Sequence, residues 1–113
     1  KSTRAPKIKK EMLRINWSWE AEKINNWVRG LSPLPGMYTV YKGKKLKIFK
    51  TSVVRIDKEL SIGKIEVINL KELVVQCADK AISVLEVQQE GKKRLSIQDF
   101  LIGSNIKSGD HFS

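Results

Sequence analysis

One cysteine, Cys77, stands among 113 residues. That excludes an internal disulfide framework and a cysteine-rich zinc site, and it suits a reducing compartment. Histidine is as scarce, with His111 alone near the C-terminal end. Long apolar runs are missing too, and none approaches the roughly 20 residues a membrane span needs. The first residues are charged, with no apolar stretch behind them, so no signal peptide is expected. The first residue is lysine rather than methionine, which makes a piece of a longer chain the expectation. There is no internal repeat and no low-complexity tract. The sequence carries no P-loop, no dinucleotide fingerprint, no nucleophile elbow and no motif that poises two carboxylates. Cys77 lies between apolar neighbours in a strand-like run, the setting of an inert core cysteine. No catalytic residue and no metal site is expected.

Acid is the last deficit. Twelve Asp and Glu face 22 Lys and Arg, leaving a formal charge of +10. Such a domain attracts polyanions: nucleic acid, anionic lipid or an acidic protein face. The plainer alternative is a merely basic, soluble surface. The 41% hydrophobic content fits a globular class, and the length suits one domain with one real core.

Between Ile15 and Gly36 the apolar positions repeat at helical spacing. Ala21, Ile24, Val28 and Leu31 fall on one face, with Trp27 beside them. Ser18 is the expected N-cap. Glu20 and Glu22 place negative charge at the positive end of the helix dipole, and Arg29 a cation near the other end. Ser32–Pro33–Leu34–Pro35–Gly36 cannot continue a helix, because proline lacks the N–H and excludes the α region for its predecessor. Trp17, Trp19 and Trp27 are expected to bury large area; stacking on a base is the alternative for Trp19.

Strands follow. Met37–Tyr41 and Lys44–Ile56 flank a turn at Lys42–Gly43–Lys44. After a loop at Asp57–Ser61 come Gly63–Ile68, Leu73–Cys77 and Ala81–Val87, the last two joined by the tight hairpin Ala78–Asp79–Lys80. Period two puts Leu46 and Ile48 on one face and Lys45, Lys47 and Phe49 on the other. The last of these strands has apolar residues on both parities, which predicts a bulge or cover on both faces. Gln88–Arg94 reads as a loop. Ser96–Asp99 resembles a capping box that opens a short helix, Ile97–Ile102, ending at Gly103. Ser104–Ser113 reads as a polar tail with Phe112 its one apolar contact. The expected class is mainly β with one or two helices. It is a small OB-like Greek-key barrel over 15–113, preceded by a basic arm over 1–14 and an N-terminal helix.

Three basic groups are separated along the chain. The arm carries Lys1, Arg4, Lys7, Lys9, Lys10 and Arg14 against a lone Glu11. It either lies across a groove, links to a neighbouring domain, or is a solvated tail. The hairpin carries Lys42, Lys44, Lys45, Lys47 and Lys50 with no acid among them. Those lysines are either a binding patch or the protection of an edge strand. The loop adds Lys92, Lys93 and Arg94. If the groups share a face, they would track a phosphate backbone. No recognition helix bearing Arg and Asn is present, so folded RNA fits better than base reading in a major groove.

The series Ala5–Pro6–Lys7–Ile8–Lys9–Lys10–Glu11, Ile15–Asn16–Trp17–Ser18, Arg29–Gly30–Leu31–Ser32–Pro33–Leu34–Pro35–Gly36, Leu46–Lys47–Ile48, Gly63–Lys64–Ile65, Gly91–Lys92–Lys93–Arg94–Leu95–Ser96 and Asp99–Phe100–Leu101–Ile102–Gly103 resembles the C-terminal domain of methionyl-tRNA formyltransferases. The likeness covers almost the whole chain. It implies an OB-like barrel joined by a basic linker to an upstream catalytic domain, which would bind 10-formyltetrahydrofolate and carry the formyl-transfer residues. The part in hand would be no enzyme and hold no cofactor; the parent would be a formyl transferase of translation initiation. The partners implied are initiator tRNA and the catalytic domain, in a cytoplasmic, monomeric protein with no membrane contact. Lys7 and Lys10 match linker lysines, and Lys47, Lys92 and Lys93 match basic barrel positions. Arg29 matches by motif. The full expected contact set is Lys7, Lys9, Lys10, Arg14, Arg29, Lys42, Lys44, Lys45, Lys47, Lys92, Lys93 and Arg94. Asn16 departs from the family, which often has an acid there. The alternative is a structural or protein-contact domain of a related sugar or folate formyltransferase.

Overall fold

The computed structural model describes residues 13–32, 36–56, 60–104 and 106–113. Lys7, Lys9 and Lys10 of the arm, and the helix stop at Pro33–Pro35, lie outside them. Two helices, α1 (Ala21–Leu31) and α2 (Ile97–Gly103), accompany six strands: β1 (Met37–Tyr41), β2 (Lys44–Val54), β3 (Ile65–Ile68), β4 (Glu72–Gln76), β5 (Ala81–Gln89) and β6 (Arg94–Ser96). All pair antiparallel in one sheet of order β1-β2-β5-β4-β3, with β6 also on β5. The mainly β class with two helices is thus the observed one.

The two-residue turn Lys42–Gly43, with φ of 50° and 79°, pairs Tyr41 with Lys44 and sets the register of the first hairpin. Both residues are left-handed, as the twist of a tight hairpin requires. Between β2 and β5 the register slips twice: Ile48 pairs Val87, Lys50 pairs Glu86, and Thr51 pairs Val84. Phe49 is the extra residue on one strand and Leu85 on the other. β5 changes its second partner at the same place, pairing β4 through Val84 and β6 from Glu86. The mixed apolar parity of β5 therefore has both expected causes. Ala81–Val84 is buried throughout, and the bulge follows.

Helix α1 buries Ala21, Ile24 and Val28 in the core cluster with Leu46, Ile48 and Val84. Its cap differs from expectation. The helix starts at Ala21, and Ser18 donates to Asn16 Oδ1 from its backbone N–H at 3.0 Å and from its hydroxyl at 2.5 Å. Asn16 holds this turn with a carboxamide oxygen, the role a carboxylate would serve there. The acceptor at the helix start is Asp79, whose Oδ1 takes the Ala21 N–H at 3.0 Å from the β4–β5 hairpin. A cap 58 residues away in sequence leaves no local signature. Trp17 is buried and donates Nε1–H to Thr39 Oγ1 at 2.9 Å; Trp19 and Trp27 pack tilted with centroids 5.4 Å apart.

Two further expectations fail. The polar tail is not a tail, for Ile106 and Phe112 are buried in the core cluster. Residues 109–113 run between the two edges of the sheet. Ile65 N–H donates to Asp110 O at 2.7 Å and Phe112 N–H to Gly63 O at 2.9 Å, while Val40 and Ser113 exchange two backbone bonds of 3.0 and 2.9 Å. The segment thus joins β1 to β3 and closes the sheet into a barrel-like body. His111 is correspondingly not frayed, being bridged to Lys64. Gly63 is needed here: its φ is +85°, and an added Cβ would lie 2.8 Å from Phe112 O. The other failure is β6, which takes Arg94 out of the expected loop and pairs it with Gln88.

Cys77 is buried and free, and burial with the nearby Asp79 charge pushes its thiol up to about 12. It is the inert core cysteine that its neighbours imply. Among the described residues no helix is long and apolar enough to cross a membrane, and no group of three or more His, Cys, Asp or Glu is placed to hold a metal ion.

Candidate nucleic-acid interface

Cross-strand partners share a face of a sheet. Tyr38 pairs Lys47, Lys47 pairs Gln88, and Gln88 pairs Arg94, so the four form one row across β1, β2, β5 and β6. Arg14 joins its edge through a parallel bridge to Tyr38, and the Ile15 N–H donates to Tyr38 O at 2.8 Å. The arm therefore meets the sheet at the end of this row. With strands about 4.8 Å apart, Lys47 and Arg94 stand roughly 10 Å from each other on the same side. Lys45 lies one pleat along, its Nζ 4.7 Å from the centre of the Tyr38 ring.

Arg94 and Lys50 share one acid. Arg94 Nε is 2.8 Å from Glu86 Oε1 and Lys50 Nζ is 3.6 Å from Glu86 Oε2. The Arg94 guanidinium also lies 4.4 Å from the centre of the Phe49 ring, which is buried outside the main core cluster. The pair orients Arg94 and adds little stability, as partly exposed ion pairs do. Lys42, Lys44, Lys45, Lys47, Lys92 and Lys93 form no ion pair among the described residues. Lys42 stands 5.3 Å from the centre of the Tyr41 ring. The Tyr41 hydroxyl bond and then the Lys107 backbone bond hold the Asp110 carboxyl below its usual range, and the Lys42 charge adds to them.

Of the two loop lysines, Lys92 is tied to this face by Gln88, and among the described residues no contact places Lys93 there. The Gln88 Nε2 donates to Lys92 O at 2.7 Å, and the Lys92 N–H donates to Gln89 O at 3.0 Å. Lys92 then shares a hollow with Lys42, Lys44 and Lys45 of the first hairpin. Lys45 and Lys47 border a second, smaller hollow with Gln88, Gly91 and the acid Glu90, which lines both hollows. The hairpin and the loop, 40 or so residues apart in sequence, thus form one surface with Arg14 at its far edge. Arg29 is not part of it. It sits in the last turn of α1 and donates to Asn26 Oδ1 at 2.9 Å.

Tyr38 and Gln88 stand in this row without having been among the expected contacts. Tyr38 was reachable, because a two-residue turn at Lys42–Gly43 dictates its pairing with Lys47. Gln88 had no signal while β6 was unseen. A surface of lysines with interleaved aromatic and amide groups can neutralise phosphates in a line; among the described residues no cluster that could hold a metal ion is present.

A family model described as formyl transferase, C-terminal domain, matches residues 7–105. The chain belongs to that family. It is 44% identical over 108 residues to a methionyl-tRNA formyltransferase of Caldanaerobacter subterraneus subsp. tengcongensis, covering 96% of this chain and 35% of that protein. A methionyl-tRNA formyltransferase of Geobacter metallireducens is 41% identical over 105 residues, covering 93% of this chain and 33% of the relative. The chain therefore spans about a third of the length of the relatives it matches. Among solved structures, HypX from Aquifex aeolicus, crystallised with tetrahydrofolic acid, matches with TM-score 0.68 at 16% identity, over 92% of this chain and 19% of that one. That likeness shows the fold of this formyltransferase domain and nothing of its ligand.

Proposed function

We propose that this domain is the tRNA-holding part of a methionyl-tRNA formyltransferase. It grips initiator tRNA mainly through positive charge, and a catalytic domain elsewhere in the parent protein transfers the formyl group from 10-formyltetrahydrofolate. The observation that carries the reading is the surface bearing Lys45, Lys47 and Lys92, which form no ion pair among the described residues and are bordered by Glu90, with Arg14 and Arg94 along the same sheet face. The names of its relatives supply the RNA. Phosphate contacts fix position and carry no base information, so choice of the initiator tRNA belongs with the catalytic domain. Lys7, Lys9 and Lys10 extend the contact set along the arm, and Arg29, off this surface, is left out of it. The domain itself needs no cofactor, and the parent works as a cytoplasmic monomer. Gel retardation of initiator tRNA should show complex at low salt that weakens steeply at moderate salt. No retardation even at low salt removes the reading.

A further inference from the structure

The β1–β2 turn, the β5–β6 loop and the end of α2 enclose a hollow of about 610 Å³. That lies within the roughly 300–1,000 Å³ of small-molecule sites. Its charge is one-sided: Lys42, Lys44, Lys45 and Lys92 line it against Glu90. Its apolar floor is the half-buried Tyr41 ring, backed by Leu46 and Phe100, which are 3% and 4% exposed and belong to the core cluster. Tyr41 is itself held in place, by a hydroxyl bond to Asp110 Oδ2 and by edge contact with the Phe112 ring. At the α2 end the Ser104 hydroxyl oxygen accepts the Ile106 N–H at 2.9 Å, which leaves its own proton free to donate.

A bare anion needs the lysines but not the apolar floor. An apolar molecule needs the floor but not a rim of cations. A ligand that uses both has a flat apolar body and a phosphate. RNA presents that chemistry wherever an unpaired nucleotide leaves its stack. We propose that this hollow takes one unstacked nucleotide, with its phosphate against Lys44, Lys45 and Lys92 and its base against the Tyr41 ring. The inference rests on the RNA-holding reading above and adds to it a discrete subsite beside a diffuse charged face.

The test titrates the isotopically labelled chain with each of the four ribonucleoside 5′-monophosphates, with adenosine and with inorganic phosphate, following backbone amide shifts. At least one monophosphate should shift Leu46, Phe100 and Ser104 saturably, and both adenosine and phosphate should bind about tenfold more weakly. Gly103 lines the hollow, and a Cβ added there meets nothing within 4 Å. Gly103→Trp should therefore abolish the monophosphate response without changing charge, while initiator tRNA is still retarded at low salt. Lys92→Gln should weaken the monophosphate and leave adenosine unchanged. Inorganic phosphate binding as tightly as every monophosphate overturns the subsite, as does silence of those amides. Retained tRNA with silent amides overturns this inference alone; loss of both overturns the RNA-holding reading with it.

Discussion

Charge that acts from one surface can be told from charge that acts through the net total. The perturbation is Lys45→Ala with Lys47→Ala, adjacent outward positions of β2 without ion-pair partners among the described residues. Suppose that Lys45, Lys47, Lys92 and Lys93 each neutralise one phosphate. The slope of log K against log salt is then about −3.6, so a rise from roughly 50 to 200 mM salt weakens binding about 150-fold. Losing two contacts halves the slope to about −1.8, and the same salt rise costs only about 12-fold. The control is Lys71→Ala with Lys80→Ala, which removes the same net charge elsewhere. Lys71 stands in the turn after β3, and Lys80 in the β4–β5 hairpin 3.8 Å from Glu22. Filter binding or fluorescence anisotropy of initiator tRNA across salt reads both slopes. The control should keep the parent slope. Equal slopes in the two double variants refute the surface, because net charge alone would then explain the binding.

Three stability predictions follow from the contacts that build the fold. Thr39→Val leaves the buried Trp17 Nε1–H without its acceptor and should cost about 1–3 kcal/mol in urea unfolding; with Trp17→Phe added, the total loss should be smaller than the sum of the two single losses, and full additivity would refute the pairing. Asp79→Ala removes the acceptor at the start of α1, while Asp79→Asn keeps an oxygen there, so only the first should lower Tm markedly. The Ala21 N–H bond, above all, holds the Asp79 carboxyl below its usual range. Its contribution is present above the unfolded carboxylate pKa near 3.9 and is lost as pH falls through the depressed value; in Asp79→Asn that part of the acid dependence should vanish. Phe112→Ala should destabilise by about 3–5 kcal/mol, a loss that a solvated tail would not show in thermal unfolding.

Local chemistry alone was enough for much of this molecule. The helical stripe Ala21, Ile24, Val28, the alternation of Leu46 and Ile48 against Lys45 and Lys47, the Ser96 cap of α2 and the buried Cys77 each depend on neighbours within a few residues. Side-chain period and turn preference act at that range, so a reader of the chain can follow them. The Asp79 cap on α1, the pairing of Gln88 with Arg94 and the closure of the sheet by residues 109–113 join partners that share no local pattern. The basic face belongs to the second kind. Which basic residues meet was settled by the β2–β5 register, which sets Lys47 opposite Gln88, and by one amide that ties down the loop at Lys92. Composition pointed towards a polyanion through its shortage of acid; only folding decided which basic residues share a face, because a sheet assigns neighbours by register and not by distance along the chain.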